Sequence, residues 1–450
     1  QRSAKPKSTA SCVGSGRSGA EKGLAMKHDP EFDIVVWGAT GCTGRLTAEK
    51  LAGRIGNRED LRWAIGGRNR SKLETVRSEL GDVAADIPII TGDNHDVASM
   101  EALAARTRVV CSTVGPYAMY GSELVGACVR AGTHYCDLAA EPHWIRKMMD
   151  IHEAEAAESG ARIVHACGMD SIPSDVGVYV LQQRAEQLYG KPCSQVKMRV
   201  TELRGGFSGG TAASLLHGTK AGREDPSIRQ AMTDPYYLAP EGHRHGPDEP
   251  ENMRSTKVEY DDDLQAWTKP FFMGPMNTKI VRRTNAVLGH PYGEDFSYGE
   301  ATLVGSGPGG WLKAKSQAIG FVEFIKAVGF PPTRRFLKKR VLPASGEGPS
   351  REVREAGHWE VVLIGTMDDG TTMRARIRGE GDPATESTTR MLTESALCLA
   401  EHGDKIPVGG GSWTPASLMG DLLVSRLTTH AGMSFELEPA GSGEGGDTKP

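Results

Sequence analysis

Apolar residues recur along the chain in two rhythms, and the change from one to the other falls near residue 190. In the first part, short continuous apolar runs alternate with helical spacings. Phe32–Trp37 (FDIVVW), Leu61–Ile65, Ile87–Ile90, Arg108–Thr113, Gly132–Asp137 and Arg162–Ala166 read as six strands, the first of them a nearly continuous apolar run suited to burial on both faces of a parallel sheet. Between them, helices are expected over Arg45–Arg54, from Lys72, and over Asp96–Ala105, Ser122–Arg130, Pro142–Glu158 and Pro173–Tyr189. Ser71 and Glu74 have capping-box spacing for the second of these. Six strands alternating with helices predict a doubly wound α/β domain.

Beyond Pro192 the apolar positions alternate singly. Gln195–Leu203, Ser297–Val304, Trp359–Ile364 and Thr371–Arg378 read as strands with one wet face, the last two joined by a turn at Met367–Gly370 with Asp-Gly at its end. A glycine loop, Gly205–Thr211, precedes a helical stretch over Ala212–Thr219, and Asp225–Asp263 reads as a long polar surface excursion. Ser387–Leu399 and Ala416–Leu427 predict helices that return to the first sheet. The expected organisation is a disordered tail over 1–26, a doubly wound domain over 27–190 completed by 385–450, and an inserted α+β domain over 191–384.

The first strand runs straight into Gly38, Ala39, Thr40, Gly41, Cys42, Thr43 and Gly44, followed by a helix. Glycines spaced GxxGxxG at a strand-to-helix turn let the backbone approach a pyrophosphate, and the helix N-terminus supplies free N–H groups and the positive end of its dipole. This combination predicts a Rossmann dinucleotide site, the bland alternative being a plain tight turn. The end of the second strand selects the cofactor. An NAD site places an acid there for the ribose 2′-hydroxyl, whereas Gly66–Lys72 contains no acid and carries Arg68, Arg70 and Lys72. A guanidinium grips phosphate bidentately, so NADP(H) is expected, held by Arg68. Thr113 and Gly115, at the end of the fourth strand, should line the cofactor, with Tyr117 toward the nicotinamide.

Composition narrows the choice of partner. With 53 basic and 57 acidic residues the net charge is −4, leaving no basic excess for nucleic acid. Eight cysteines without a CxxC pair read as buried hydrophobes in a reducing, cytoplasmic compartment. His243 and His245 stand without a nearby acidic or Cys partner in sequence, so no metal site is expected. Gln1–Ala25 is Ser-, Gly- and base-rich and acid-poor, as a disordered tail or the remnant of an organelle-targeting segment would be. No apolar run is long enough for a transmembrane helix. Ala318, Phe321, Val322, Ile325 and Val328 recur at helical spacing ahead of Arg334, Arg335, Lys338, Lys339 and Arg340. Such a stretch is either a core or homodimer-face helix with a solvated tail, or a peripheral contact with an anionic membrane.

The segments GATGCTGRLTAEKLA, WAIGGRNRSKLE, VGPYAMYGSELVGACVRAGTHYCDLAAE, CGMDSIPSDVG, FSGGTAAS and TPASLMGD together resemble the saccharopine dehydrogenase-like oxidoreductases, and within them the trans-acting enoyl reductases of bacterial lipid and polyketide synthesis. The resemblance places the cofactor on Gly38, Ala39, Thr40, Gly41, Gly44 and Arg68. It implies NADPH-dependent reduction of a double bond in an acyl or polyketide chain, with a lipid-like small molecule, free or on a carrier domain, as the partner. One departure is visible: where relatives often carry Gly-Tyr after Gly-Asp-Pro, this chain has Gly381-Asp382-Pro383-Ala384-Thr385. By position alone, Tyr117 and Tyr135 are the candidate hydroxyl donors and Asp170 and Ser171 the orienting groups. Two other functions compete. A saccharopine-type imine or amino-acid reductase would need cations such as Arg199, Arg204 and Arg223 to hold carboxylates. A nucleotide-binding, lipid-associated protein would keep the fold without turnover.

Overall fold

Phe32–Trp37 is buried at every position and pairs on both sides with parallel strands, as a two-sided apolar run requires. The computed structural model describes residues 29–56, 58–206, 209–247, 256–340 and 346–438. The expected tail over 1–26, and Phe207 and Ser208 of the glycine loop, lie outside the described residues. In chain order the first part consists of β1 (Phe32–Trp37), α1 (Cys42–Ile55), β2 (Trp63–Gly67), α2 (Arg70–Glu79), β3 (Ile89–Thr91), α3 (Val97–Ala104) and β4 (Thr107–Ser112). A short α4 (Tyr117–Tyr120) leads to α5 (Ser122–Ala131), β5 (His134–Asp137), α6 (Pro142–Ser159), β6 (Arg162–Val164) and α7 (Ile172–Tyr189). The middle part holds β7 (Gln195–Arg204), α8 (Gly209–Glu224), α9 (Pro226–Thr233), β8 (Glu259–Asp261), β9 (Ala266–Pro270), α10 (Gly274–Val287) and β10 (Ser297–Gly305). It continues with α11 (Gly307–Gly329), α12 (Pro331–Arg340), α13 (Arg351–Ala356), β11 (His358–Thr366) and β12 (Thr372–Glu380). A π-turn over Pro383–Ser387 opens the last part, α14 (Thr388–His402), β13 (Gly411–Trp413), α15 (Pro415–His430) and β14 (Met433–Glu438).

Two seven-stranded sheets result. The first has the order β13-β6-β5-β4-β1-β2-β3 and is parallel throughout, so the carboxyl ends of its strands share one edge. The second, β14-β12-β11-β7-β10-β9-β8, is antiparallel except for the β7–β10 pair. The fold class is thus the expected one, a Rossmann-type α/β sheet with a second α+β unit.

Several local expectations are corrected. The second helix starts at Arg70, not Lys72, because Asn69 accepts the Lys72 N–H at 3.0 Å and caps it in place of Ser71. The first sheet gains a seventh strand, β13, from the C-terminal part, while β14 pairs with β12 at the edge of the second sheet instead of returning to the first. The polar stretch 225–263 is no mere excursion: Ala231, Tyr236, Leu238 and Ala239 are buried, and α9 packs on α6. Helix α10 shows no amphipathic spacing in the sequence because it is buried nearly all round, with the polar Asn277, Lys279, Arg282 and Arg283 buried beside Met276, Ile280 and Val281. The stripe Ala318, Val322, Ile325 and Val328 of α11 is core, packed on β9 and β10. Of the seven described cysteines, all free, six are buried and Cys42 is half-buried, in keeping with their reading as small apolar residues.

Candidate active site

The carboxyl edge of the first sheet collects nearly every residue singled out in the sequence. After β1 the chain turns through Gly38, held at φ +95°, a conformation glycine adopts without cost. A Cβ on Gly44 would lie 2.2 Å from the Gly38 carbonyl oxygen, and one on Gly38 would lie 2.6 Å from Val114. These two glycines therefore let α1 close onto β1 and β4. Gly41 differs. A Cβ there would meet only the Gly38 carbonyl, at 3.5 Å, so the space above it is open. Gly41 is the N-cap of α1, and no side chain caps that helix end. The first turn of α1 thus presents N–H groups that lack an intrahelical acceptor, next to a gap in the packing. Thr113, after β4, spans the turn with its hydroxyl 3.1 Å from the Trp37 carbonyl and 3.3 Å from that of Gly38.

One strand over, Arg68 follows β2. It is exposed, with its guanidinium 5.9 Å from the centre of the Tyr120 ring, and no acid among the described residues pairs with it. Arg70 beside it is neutralised by Glu74 at 3.1 Å. An unpaired, aromatic-backed guanidinium at the tip of β2, with no acid in Gly66–Asn69, fits a 2′-phosphate and not a ribose diol. The donor set and the open cradle over Gly41 therefore fit NADP(H). Gly115 lies beside helix α8: a Cβ on it would come 3.7 Å from the Ser214 hydroxyl. The segment after residue 345 crosses the start of α1, its Gly348 backbone packed directly against Cys42.

The four catalytic candidates separate. Tyr117 is buried, and its hydroxyl donates to the Ser112 carbonyl at 3.2 Å while accepting the Leu138 N–H at 3.1 Å. Tyr135 is fully buried and donates to Asp137 Oδ2 at 3.0 Å, an oxygen that also lies 2.8 Å from His165 Nδ1. Burial raises both phenols well above their ordinary pKa. Neither hydroxyl is free for a substrate, which corrects the expectation built on position. Ser171, also fully buried, donates to Asn277 Oδ1 at 2.9 Å; Asn277 in turn donates to Glu300, which Ser174 and Tyr298 also contact. This network ties the start of α7 to α10 and β10.

Asp170 stands apart. It precedes α7 at the carboxyl edge, is only partly covered, and has no hydrogen bond or ion pair among the described residues. Burial pushes its carboxyl up to about 6. Asp175, five residues on, is raised to about 7 by burial as well, but it is spent: Thr284 donates to one oxygen and the Ala416 N–H to the other at 2.8 Å. It braces the start of α15. A carboxyl kept partly protonated near neutrality and left without a partner is suited to proton transfer.

Adjacent strands lie about 4.8 Å apart, so the four steps from β2 to β6 set Arg68 and the loop of Asp170 roughly 19 Å apart along one edge. The cradle lies between them. One residue group escaped the sequence reading altogether. His290, in the turn after α10, comes to His243 and His245, so the expectation that these two histidines lack a partner does not hold. Local periodicity could not have brought together residues 45 positions apart.

Comparison with known proteins bears on the family of the chain and on its first sheet. Residues 34–164 match the saccharopine dehydrogenase NADP-binding domain. A Mycobacterium tuberculosis protein named as a trans-acting enoyl reductase is 41% identical over 413 residues, covering 90% of this chain and 97% of its own. The trans-acting enoyl reductase of Mycobacterium bovis is 38% identical over 88% of this chain and 96% of its own. Among solved structures, apo saccharopine dehydrogenase from Saccharomyces cerevisiae superposes with a TM-score of 0.51 at 13% identity, covering 90% of this chain and 99% of the other, a likeness of fold. The chain belongs to the trans-acting enoyl reductase family of saccharopine dehydrogenase-like, NADP-dependent oxidoreductases.

Proposed function

We propose that the protein reduces a carbon–carbon double bond conjugated to a carbonyl in a lipid-like or polyketide chain, delivered on a carrier domain, with Asp170 as the proton donor. The observation that carries this reading is the occurrence, on one sheet edge, of an open phosphate cradle and an unpartnered, half-buried carboxyl. The backbone of Gly38–Gly44 and the Arg68 guanidinium hold the cofactor, with Thr113 and Gly115 beside it. Bound there, NADPH supplies a hydride for the β carbon. The electron pair of the double bond moves toward the carbonyl oxygen, and the α carbon then takes the Asp170 proton, which water replaces. The Ser171–Asn277–Glu300 network positions the loop that carries Asp170.

The imine-reductase alternative is disfavoured by its own candidate residues. Arg199 pairs with Asp261 at 2.6 Å, and Arg223 donates to the Gly329 carbonyl, so two of the three cations proposed to hold a substrate carboxylate are already engaged. The test is NADPH oxidation by the purified chain across enoyl thioesters, keto acids and imines. Turnover of the enoyl thioesters is expected; turnover of imines or keto acids alone would sink the proposal.

A second observation bears on where the substrate is met. Trp311, Leu312, Ile319, Phe330 and Phe336 of the α11–α12 region are exposed, close in sequence to Arg334, Arg335 and Lys339; the Lys338 side chain lies outside what is described. Among the described residues no helix is long and apolar enough to cross a membrane. Apolar groups beside cations suit docking of a cytoplasmic protein to an anionic membrane surface. Sedimentation with anionic but not zwitterionic vesicles, lost in Arg334→Glu/Arg335→Glu, is expected, and equal recovery with both vesicle types would exclude it.

A further inference from the structure

The segment 240–247, between α9 and β8, meets the turn that follows α10. His243 Nδ1 lies 3.0 Å from His290 Nε2 with the two rings stacked at 15°. The His245 ring stands edge-on to that of His290, 5.0 Å between centres. One nitrogen from each of the three rings lies within 4.8 Å of the others. Metal–nitrogen bonds of about 2.0–2.1 Å in a tetrahedron separate ligand nitrogens by roughly 3.4 Å, so only small side-chain adjustments divide this arrangement from a coordinated one.

Both backbones are built to hold it. His290 has φ +62°, a conformation in which non-glycine residues are uncommon. Its N–H donates to the Asn285 carbonyl at 2.8 Å, and the buried Asn285 side chain bridges Tyr292 N–H and the Gly293 carbonyl, both at 2.9 Å. On the other side, Arg244 is drawn onto Asp234 in a two-pronged pair at 2.7 and 3.1 Å. Pro247 is fixed through its carbonyl by Tyr236 at 3.1 Å and Arg282 at 2.9 Å. The histidines at 243 and 245, on either side of the tethered Arg244, are thus presented together. His290 Nδ1 is buried with no protein partner. Asn277, in the network behind Asp170, lies ten residues before the end of α10 at Val287, roughly 15 Å at 1.5 Å per residue, and His290 lies in the turn beyond that end, so this cluster is separate from the cofactor edge.

We propose that His243, His245 and His290 form a site for a divalent transition metal of the zinc class, with three imidazoles from this chain and water in the remaining position. An all-imidazole set suits zinc, copper or nickel and excludes the hard, oxygen-seeking magnesium and calcium. The bound ion clamps segment 240–247 to the end of α10.

The test uses untagged full-length protein freed of metal by a chelator and titrated calorimetrically with zinc chloride, with cobalt as a spectroscopic stand-in. One equivalent of zinc is expected to bind with micromolar or tighter affinity, and cobalt should give the visible bands of a tetrahedral nitrogen site. His290→Asn, which tolerates the same backbone conformation, and His243→Gln should each weaken zinc by about 100-fold or more. His358→Gln, at a surface histidine paired with Glu202, should leave it unchanged. Retained NADPH binding in these variants reports that they fold. Absence of stoichiometric zinc binding, or binding that persists undiminished in folded His290→Asn, would overturn the proposal.

Discussion

Two charged regions flank α1, and they treat their charges in opposite ways. On the side where α1 meets α14, which in turn packs on α15, buried carboxylates are saturated with cations. Glu386 is met by Lys50 at 2.6 Å, Arg354 at 3.1 Å and Arg390 at 3.2 Å. Glu394 is met by Arg54 at 2.6 Å and Arg426 at 2.8 Å. At the carboxyl edge of the first sheet, Arg68 and Asp170 have no counter-charge among the described residues. Paired buried charges fix how elements pack, because losing either partner strands the other in low dielectric. Unpaired ones cost the fold something and persist where a ligand or a proton completes them. The two regions also answer pH with opposite sign. Burial alone would raise Glu386, but Lys50 and the two arginines bring it below the ordinary range, so its contribution to stability is present above the unfolded pKa and is lost as pH falls. Asp170 is raised from 3.8 to about 6; relative to the unfolded chain its effect favours the fold at low pH, and that stability is lost as pH rises through about 6.

The largest expected effect comes from emptying the unpaired edge of its proton. Asp170→Asn should lower kcat by about 10²–10⁴-fold and remove a decline in kcat above pH 6, with thermal stability at pH 7 unchanged or raised, since a burial cost is relieved. A fall in stability with kcat intact would make Asp170 one more structural acid and erase the contrast. Next in size, Glu394→Ala leaves the buried Arg426 with Glu401 alone, at 2.6 Å, and takes the carboxylate from Arg54, and should cost about 3 kcal/mol in urea unfolding. Its NADPH affinity should stay near that of the parent; a loss confined to binding would mean the seam is not merely structural. Smaller again, Arg68→Gln removes one charge-assisted contact of about 1.5–3 kcal/mol. Fluorescence titration should show NADPH weakened by roughly 10–150-fold and NADH unaltered. Equal weakening of both nucleotides would detach Arg68 from the 2′-phosphate.

The contrast between these regions also explains which parts were legible in the chain. The cradle was readable because it is local: one strand, three glycines and one helix are consecutive, and their packing demands appear as missing side chains. The parallel strands were readable because burial on both faces makes their central positions continuously apolar, as in Ile34–Trp37 and Val109–Cys111. Helix α10 was not, since Asn277, Lys279, Arg282 and Arg283 are buried alongside Met276, Ile280 and Val281, and the burial of a cation such as Arg283 depends on the Leu238 and Ser412 carbonyls far along the chain. The start of α2 was misplaced by two residues because Asn69 and Ser71 are both competent caps and only geometry chooses between them. For the site, a sequence marks Asp170 and Asp175 by position only and does not say which of the two keeps a free carboxyl. They share a helix start, and what separates them is that Thr284 and the Ala416 N–H, more than a hundred residues away, reach only the second.

The smallest effect on catalysis is expected from the two tyrosines, and it tests the contrast from the other side. Tyr117 and Tyr135 sit in sequence where a hydroxyl donor was expected, yet their hydroxyls are consumed within the protein. Tyr117→Phe strands the Leu138 N–H and the Ser112 carbonyl, and Tyr135→Phe takes a donor from Asp137, so each should cost about 1–3 kcal/mol of unfolding free energy. Neither removes a group that faces the substrate, so kcat should stay within a factor of about three, under 1 kcal/mol of barrier. If instead Tyr135→Phe lost turnover at unchanged stability, the proton would have to travel through Asp137 and His165, whose Nε2 is buried without a protein partner. The donor would then be a relay beneath the sheet edge, and Asp170 would be left with the task of orienting the substrate.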